Sequence, residues 1–200
     1  MTDDLTGLTA YLYEAGYLKR VPRTGWNIAG VAAPESVGDH SFRVALIALT
    51  IAHLEGGDPG QAAMLGLLHD MPETRISDVA YASRAYIKTA DPELVARDQT
   101  AGLPGALGDL LVGLIGEFEN RRTLEARCAK DADRLDCLLQ AREYQAAGNT
   151  QLQPWIDSSI GGLSTDTGRR LGALCLQVEP REWWRQATAS HPARPRAVPD

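Results

Sequence analysis

The sequence predicts an all-α protein, and three observations support this prediction. Apolar residues recur at helical spacing in most segments, the alternating patterns typical of strands are nearly absent, and an Asp-Pro pair that starts a helix occurs twice. There is no internal repeat and no internal linker. We therefore expect one helical domain over residues 1–189 and a disordered tail, rich in Pro and Arg, over residues 190–200.

The first half of the chain is expected to contain three long helices. Apolar residues every three or four positions indicate a helix over residues 5–19, and a breaker-rich loop follows at 21–26. Ser36 and Asp39 are both suitable N-caps for a second helix that extends to about residue 54. Glycines stop that helix, and an Asp-Pro pair starts a third at residues 59–70.

The second half is also expected to be helical. Its segments are separated by glycine, proline and capping residues, and the longest of them ends at a glycine. We expect helices over residues 81–88, 91–102, 107–118, 124–147, 165–176 and 180–187.

Composition excludes several classes of protein. The net charge of −6 argues against a binder of nucleic-acid polymers or membrane surfaces. Cys128, Cys137 and Cys175 are odd in number and widely spaced, which is typical of buried thiols in a reducing compartment. No signal-peptide pattern and no apolar run of about 20 residues is present. We expect a cytoplasmic protein.

One stretch concentrates ionisable groups behind an apolar helix. His69, Asp70, Glu73 and Asp78 lie within ten residues, and Glu73 follows His69 by one helical turn. Burying one imidazole and three carboxylates is costly without a positive partner, and a divalent metal ion is a suitable one. A solvated helix end with ordinary charges explains the stretch equally well, so both interpretations stay open.

Of the other histidines, His40 is the strongest candidate. It shares a helix face with apolar residues, which fits a metal ligand or a hydrogen-bonded core histidine. Asp39 and Glu35 are candidate partners for its ring. His53, at a helix end, and His191, in the tail, are expected to be incidental.

A second group of acids lies on the long helix expected at 124–147. Helical periodicity places Asp131 with apolar residues, which nominates it as the buried acid. Small residues surround Asp133, and these would let another helix or a metal site approach. Asp136 completes the group. A solvated face paired with neighbouring Lys and Arg is the alternative for all three acids.

These motifs together resemble the HD-domain phosphohydrolase superfamily, and within it the 5′-deoxynucleotidase-like branch. The ordered set of His, His-Asp and Asp is the specific part of the resemblance, which spans roughly residues 17–145. The matching segments are residues 23–26, 34–41, 68–73, 77–78, 131–136, 139–141 and 143–144.

The resemblance implies a helical bundle with a metal ion in its interior. The implied ligands of one divalent ion, Mn, Co, Fe or Mg, are His40, His69, Asp70 and Asp133. Glu73 and Asp78 are the implied catalytic acids. Glu73 would take a proton from a metal-bound water that attacks phosphorus, and Asp78 would orient the phosphate or protonate the leaving oxygen.

The resemblance also implies a small-molecule nucleotide substrate. Arg23 and Trp26 would hold its phosphate and sugar, although Trp26 fits a core anchor equally well. Arg84 and Lys88 are further candidates near the phosphate. Ser77 replaces the glycine that many relatives carry before the aspartate, which affects the local turn.

The expected reaction is removal of the 5′-phosphate from (deoxy)nucleoside monophosphates. Hydrolysis of nucleoside triphosphates or of a modified nucleotide in a biosynthetic pathway, and a non-catalytic nucleotide-binding regulatory module, are the alternatives. Relatives are often homodimers, and the C-terminal segment with Trp183 and Trp184 either forms such an interface or closes the core.

Overall fold

The computed structural model describes residues 5–190 and is all-α over that range, as the sequence predicts. An isolated bridge between Pro22 and Ser36 is the one β-type pairing among these residues. The helices are α1 (Thr6–Ala15), α2 (Gly25–Ile28), α3 (Val37–Glu55), α4 (Pro59–Leu68), α5 (Glu73–Ile76), α6 (Pro92–Thr100), α7 (Gly105–Asn120), α8 (Leu124–Ala146), α9 (Gln153–Gly161), α10 (Asp166–Cys175) and α11 (Glu182–Ser190).

Several expected boundaries were wrong. α2 lies in the expected loop, and α9 falls in a segment for which no helix was expected. The helix expected at 81–88 is a single 3-10 turn, Tyr81–Ser83, and the first helix continues beyond Ala15 only as a 3-10 turn. Ser190 ends α11 instead of starting a tail. The rest of the expected tail lies outside the described residues, as does His191.

Side-chain caps fix where the main helices begin. At the start of α3 the Ser36 hydroxyl accepts from the Asp39 backbone N–H, and the Asp39 carboxylate accepts from the Ser36 backbone N–H. Both candidate N-caps therefore act together in a capping box. Asp58 and Asp91 cap α4 and α6, each with proline at the first helical position. These contacts satisfy N–H groups that a helix end otherwise leaves unpaired.

Two apolar clusters hold the bundle together. The larger lies where α3, α4 and α8 pack, and its fully buried members include Ile51, Leu65 and Leu138. The smaller lies under α1, α6 and α7 and includes Met71 and Ile115. No described helix combines the length and the hydropathy needed to cross a membrane.

Glu14 at the end of α1 anchors α5. Its carboxylate accepts hydrogen bonds from Arg75 and Thr74, each at 2.8 Å, and from Gln99 at 2.9 Å. The bond from Arg75 is the main cause that lowers the pKa of Glu14 from 4.5 to about 2, against the opposing effect of burial. The hydrogen bonds to Glu14 therefore fix the position of α5, the short helix that begins with Glu73.

We predict that Glu14→Gln destabilises the protein in a pH-dependent manner. Because the pKa is depressed on folding, the carboxylate stabilises the fold above about pH 4.5, and this stabilisation is lost as the pH falls toward 2. After allowance for solvent screening, the expected loss at pH 7 is about 1 kcal/mol. Urea unfolding at pH 7, 5 and 3 measures it.

Glu93→Gln is the matched control, because it removes an exposed ion pair with Arg97 on α6. It should change the unfolding free energy by less than about 0.5 kcal/mol at each pH. A Glu14→Gln deficit of equal size at all three pH values would contradict the electrostatic explanation.

Candidate active site

Three helices bring the four expected ligands together. α3 carries His40, the end of α4 leads into His69 and Asp70, and α8 carries Asp133. His40 Nε2 lies 3.4 Å from Asp133 Oδ1 and 3.6 Å from Asp70 Oδ2. His69 Nε2 lies 3.1 Å from Asp70 Oδ2. Ligand atoms of His40, His69 and Asp133 lie within 4.8 Å of one another, so groups distant in sequence meet in space.

The two imidazoles are held in the orientation of metal ligands. Both Nε2 atoms are buried and lack a hydrogen-bond partner among the described residues. The opposite nitrogens are anchored: His40 Nδ1 lies 2.6 Å from Asp136 Oδ2, and His69 Nδ1 lies 2.8 Å from the Gly66 carbonyl oxygen. In the neutral ring an N–H at Nδ1 leaves a lone pair at Nε2, so both rings in that form direct a lone pair at the carboxylate cluster.

The charges of the cluster favour a cation. Burial acts to lower the pKa of His40, but the carboxylates of Asp133 and Asp136 raise it to about 9. Burial acts to raise the pKa of Asp133, but Lys130 and His40 hold it well below its usual range. The site therefore attracts positive charge. Two imidazole nitrogens with two carboxylates form a donor set that fits a divalent metal ion.

The cluster opens into a cavity of about 580 Å³, lined by His69, Asp70 and Asp133 among others. Glu73 lines the same cavity, and its Oε2 is buried without a partner among the described residues. Burial, followed by the charges of Asp70 and Asp78, raises the pKa of Glu73 to about 9. A positive charge nearby would favour its ionised, proton-accepting form.

Arg23 and Asp78 form one wall of the cavity. Arg23 Nη1 lies 3.7 Å from Asp70 Oδ2, Arg23 Nε lies 3.8 Å from Asp78 Oδ2, and Arg23 Nη2 donates to Cys137 Sγ at 3.1 Å. The Thr24 backbone N–H donates to Asp78 Oδ2 at 2.7 Å, and its hydroxyl donates to the Asp78 carbonyl at 2.9 Å. The loop before α2 and the segment after α5 are thereby joined.

Comparison with known proteins now identifies the family. The HD domain profile matches residues 15–174. The chain belongs to the HD domain family. It is 37% identical over 161 residues to 5′-deoxynucleotidase HDDC2 of Bos taurus, with 78% of each chain covered. It is 35% identical over 158 residues to the protein of the same name in Homo sapiens, with 77% of each covered.

Solved structures agree on the fold. A conserved hypothetical protein from Pyrococcus furiosus matches with a TM-score of 0.69 and 29% identity, covering 85% of this chain and 99% of that chain. A predicted metal-dependent phosphohydrolase from Magnetospirillum magnetotacticum shares the fold with a TM-score of 0.62 and 23% identity, covering 92% and 94%. The HD-domain resemblance found in the sequence is confirmed.

Trp26 is placed in the core of this HD domain, where it does not contact the cavity. Its side chain is 2% exposed, its ring stacks on Trp155 at 6.1 Å between centroids, and the edge contact with Tyr144 is 5.4 Å. Its Nε1 donates to Glu35 Oε1 at 3.0 Å. Trp26 therefore has the contacts of a core anchor, the alternative that the sequence leaves open, and it is not among the described residues that line the cavity. Its role in holding the substrate stays a prediction.

Neither expected partner makes the hydrogen bond to the His40 ring, although a Glu35 carboxylate oxygen lies within 4.8 Å of a His40 ring nitrogen and of an Asp136 oxygen. Asp39 is used in the α3 capping box, and Glu35 bonds to Trp26. Asp136 takes the role instead, and it is fully buried. Arg43 donates to Asp136 through Nε and to Gln140 and Glu143 through its two terminal nitrogens. The signal that was missed is the three-residue spacing of Asp133 and Asp136, which puts both on one helix face.

Asp131 is the buried acid that periodicity predicts, but its role is structural. Its side chain is fully buried and accepts hydrogen bonds from the backbone N–H and the hydroxyl of both Ser164 and Thr165, at 2.7–3.0 Å. Thr165 in turn caps α10. Asp133, on the other side of α8, is the acid that lines the cavity.

The cavity contains more cations than expected. Arg84 and Lys88 line it, and so do Lys130 and Arg121, which sequence reasoning missed. Lys130 Nζ lies 2.9 Å from Asp133 Oδ2 and 4.7 Å from the centre of the Phe118 ring. The three-residue spacing of Lys130 and Asp133 is the sequence signal for this pair.

We predict opposite effects for two acids on α8. Asp133→Asn should lower the affinity for Mn²⁺ by at least about 10–100-fold, because it removes one ligand charge, while cooperative unfolding persists. Asp131→Asn should keep the Mn²⁺ affinity and lose about 2–4 kcal/mol of stability, because its amide faces donors that need an acceptor. Calorimetric titration and urea unfolding measure the two quantities.

Each variant is the control for the other, since both remove one negative charge from the same helix. Reduced Mn²⁺ binding by Asp131→Asn with unchanged binding by Asp133→Asn would reverse the assignment of the two acids.

Proposed function

We propose that the chain is a metal-dependent phosphomonoesterase that removes the 5′-phosphate from (deoxy)nucleoside monophosphates. The observation that supports this most directly is the pair of unpartnered Nε2 atoms of His40 and His69, directed at two carboxylates in the cavity. Relatives named 5′-deoxynucleotidase, 35–37% identical over more than three quarters of both chains, support the same activity.

The ion would be held by His40, His69, Asp70 and Asp133. When bound, a divalent ion lowers the pKa of a coordinated water toward 7 and so supplies a nucleophile. Two nitrogens and two carboxylates leave room for further ligands in a six-coordinate shell, which favours Mn, Co, Fe or Mg over a closed structural zinc site.

Glu73 is the proposed general base. Its unpartnered Oε2 lines the cavity next to the ligand set, and the raised pKa means that the carboxyl group is protonated until positive charge is present. Asp78 is the proposed second acid. Because its Oδ2 is fixed by the Thr24 N–H, it is suited to orienting the phosphate or passing a proton to the leaving sugar oxygen.

Arg23 is the proposed phosphate ligand. Its guanidinium lies between Asp70 and Asp78 and is fixed by Cys137, so it is oriented before the substrate arrives. A planar guanidinium binds two phosphate oxygens at once and balances charge that develops on phosphorus. Lys130, beside Asp133, lies on the same side of the ligand set.

The proposed substrate is a small nucleotide and not a nucleic-acid polymer. The relatives named 5′-deoxynucleotidase disfavour triphosphate hydrolysis and a non-catalytic regulatory module. We further propose a cytoplasmic location, which fits the free state of Cys128, Cys137 and Cys175. The homodimer stays a prediction.

The direct test is phosphate release from a panel of nucleoside 5′-monophosphates with Mn²⁺, Co²⁺ or Mg²⁺. Glu73→Gln should lower kcat by about 10²–10⁴-fold and leave the Mn²⁺ content unchanged, because the proton acceptor is lost and the ligands are kept. Metal analysis and steady-state kinetics measure both.

Glu182→Gln, which removes the same charge from the exposed helix α11, should match the wild type in rate and Mn²⁺ content. Absence of phosphate release from the wild-type protein with every metal would contradict the proposed activity. A full rate in Glu73→Gln would remove Glu73 from the mechanism.

A further inference from the structure

Among the described residues, five basic side chains line the active-site cavity, and they fall into two groups. Arg23 and Lys130 lie beside carboxylates of the ligand cluster. Arg84, Lys88 and Arg121 have no carboxylate partner within residues 5–190. Arg84 Nε donates a hydrogen bond to the Val79 carbonyl oxygen at 3.2 Å. Three exposed cations without a carboxylate partner therefore line one cavity in a chain of net charge −6.

The backbone at Arg121 provides an independent observation. Arg121 is the C-cap of α7 and adopts φ 54° and ψ 26°, the left-handed conformation for which glycine is strongly favoured. Over residues 5–190, the other non-glycine residue with positive φ is Ser77, which lines the same cavity. Such strain is concentrated at functional sites. An arginine in a conformation that favours glycine is therefore a candidate for a functional role.

We call the exposed part of the lining that carries these three cations the cavity mouth. All three are exposed, whereas His69, at the inner end, is buried. Arg121 follows Phe118 by three residues, and the Phe118 ring lies 4.8 Å from the His69 ring. The cavity mouth therefore adjoins the ligand cluster through α7. Apart from the ligands Asp70 and Asp133 and the proposed catalytic acids, one carboxylate among the described residues, Glu119, also lines the cavity.

We propose that Arg84, Lys88 and Arg121 form a second anion site at the cavity mouth, which binds a further phosphate carried on the sugar of the substrate. This rests on the proposed function, in which the 5′-phosphate lies at the metal ligands. The preferred substrates are then nucleoside 5′-phosphates that also carry a phosphate on the 3′ oxygen. That phosphate is either a terminal group or the phosphodiester of a short oligonucleotide, and guanidinium forks suit both.

The experiment compares adenosine 5′-monophosphate, adenosine 3′,5′-bisphosphate and the 5′-phosphorylated dinucleotide pApA with Mn²⁺. In the wild type, kcat/KM should be about tenfold or more higher for at least one doubly charged substrate than for the monophosphate. The preferred one identifies the source of the second phosphate. Arg121→Gly should reduce this preference ratio to near one. Arg122→Ala, a neighbouring change of the same charge outside the cavity, should leave it unchanged.

A structural role for Arg121 predicts a different result. An arginine at a helix C-terminus is favoured by the helix dipole, so Arg121→Gly would then lower Tm and leave the preference ratio intact, which would overturn the proposal. Under the proposal, Arg121→Gly removes the backbone strain at position 121, and this gain in stability offsets the lost interaction of the arginine with the helix dipole. Tm then stays within about 2–4 °C of the wild type while the preference is lost.

Binding measurements separate this proposal from the proposed function. In the Glu73→Gln background, calorimetry with Mn²⁺ should show the same Arg121-dependent preference for the bisphosphate over the monophosphate. Hydrolysis of the monophosphate without any preference in rate or binding would overturn the second anion site and leave the proposed function standing. An Arg121-dependent binding preference without hydrolysis of any nucleotide by the wild type would overturn the proposed function and leave the second anion site standing.

Discussion

The site depends on the close approach of α3 and α4. A Cβ atom added at Gly66 would lie 3.1 Å from Ala45 Cα and from the Val44 carbonyl oxygen, so glycine permits a separation that a larger residue would increase. This approach places the His40 and His69 rings 5.3 Å apart. Burying unpartnered imidazole nitrogens among carboxylates costs free energy unless a cation binds them. The packing of α3 on α4 therefore produces a site that favours a metal ion.

α8 contributes two acids, one helical turn apart, to the same site. Asp133 and Asp136 share a face, and His40 lies against both of them. Its Nε2 is 3.4 Å from Asp133, and its Nδ1 is 2.6 Å from Asp136. One acid is a candidate metal ligand, and the other fixes the ring that supplies a second ligand. Asp131 lies about 200° around the helix from Asp133 and binds the start of α10 instead. The three acids therefore have three separate roles.

The sequence was sufficient for the fold class, because periodicity and caps are local signals. The four expected ligands came from the resemblance to the HD-domain superfamily, since periodicity alone nominated Asp131 and not Asp133. It was insufficient where the outcome depended on contacts between distant segments. Trp26 is removed from the cavity by stacking on Trp155 of α9, a helix that no periodic pattern indicated. Asp136 is placed beside His40, 96 residues away, by the packing of α3 on α8. Periodicity predicted that Asp131 is buried, but it did not indicate which groups its carboxylate binds.

The strained backbone at Ser77 links the two proposed catalytic acids. The Ser77 N–H closes α5 by donating to the carbonyl of Glu73, and Ser77 then adopts φ 61° and ψ 159°, a conformation nearly confined to glycine. That reversal directs the next residue, Asp78, back to the Thr24 N–H. The cost of about 1–3 kcal/mol is tolerated because Glu14 clamps α5 on one side and Thr24 holds Asp78 on the other.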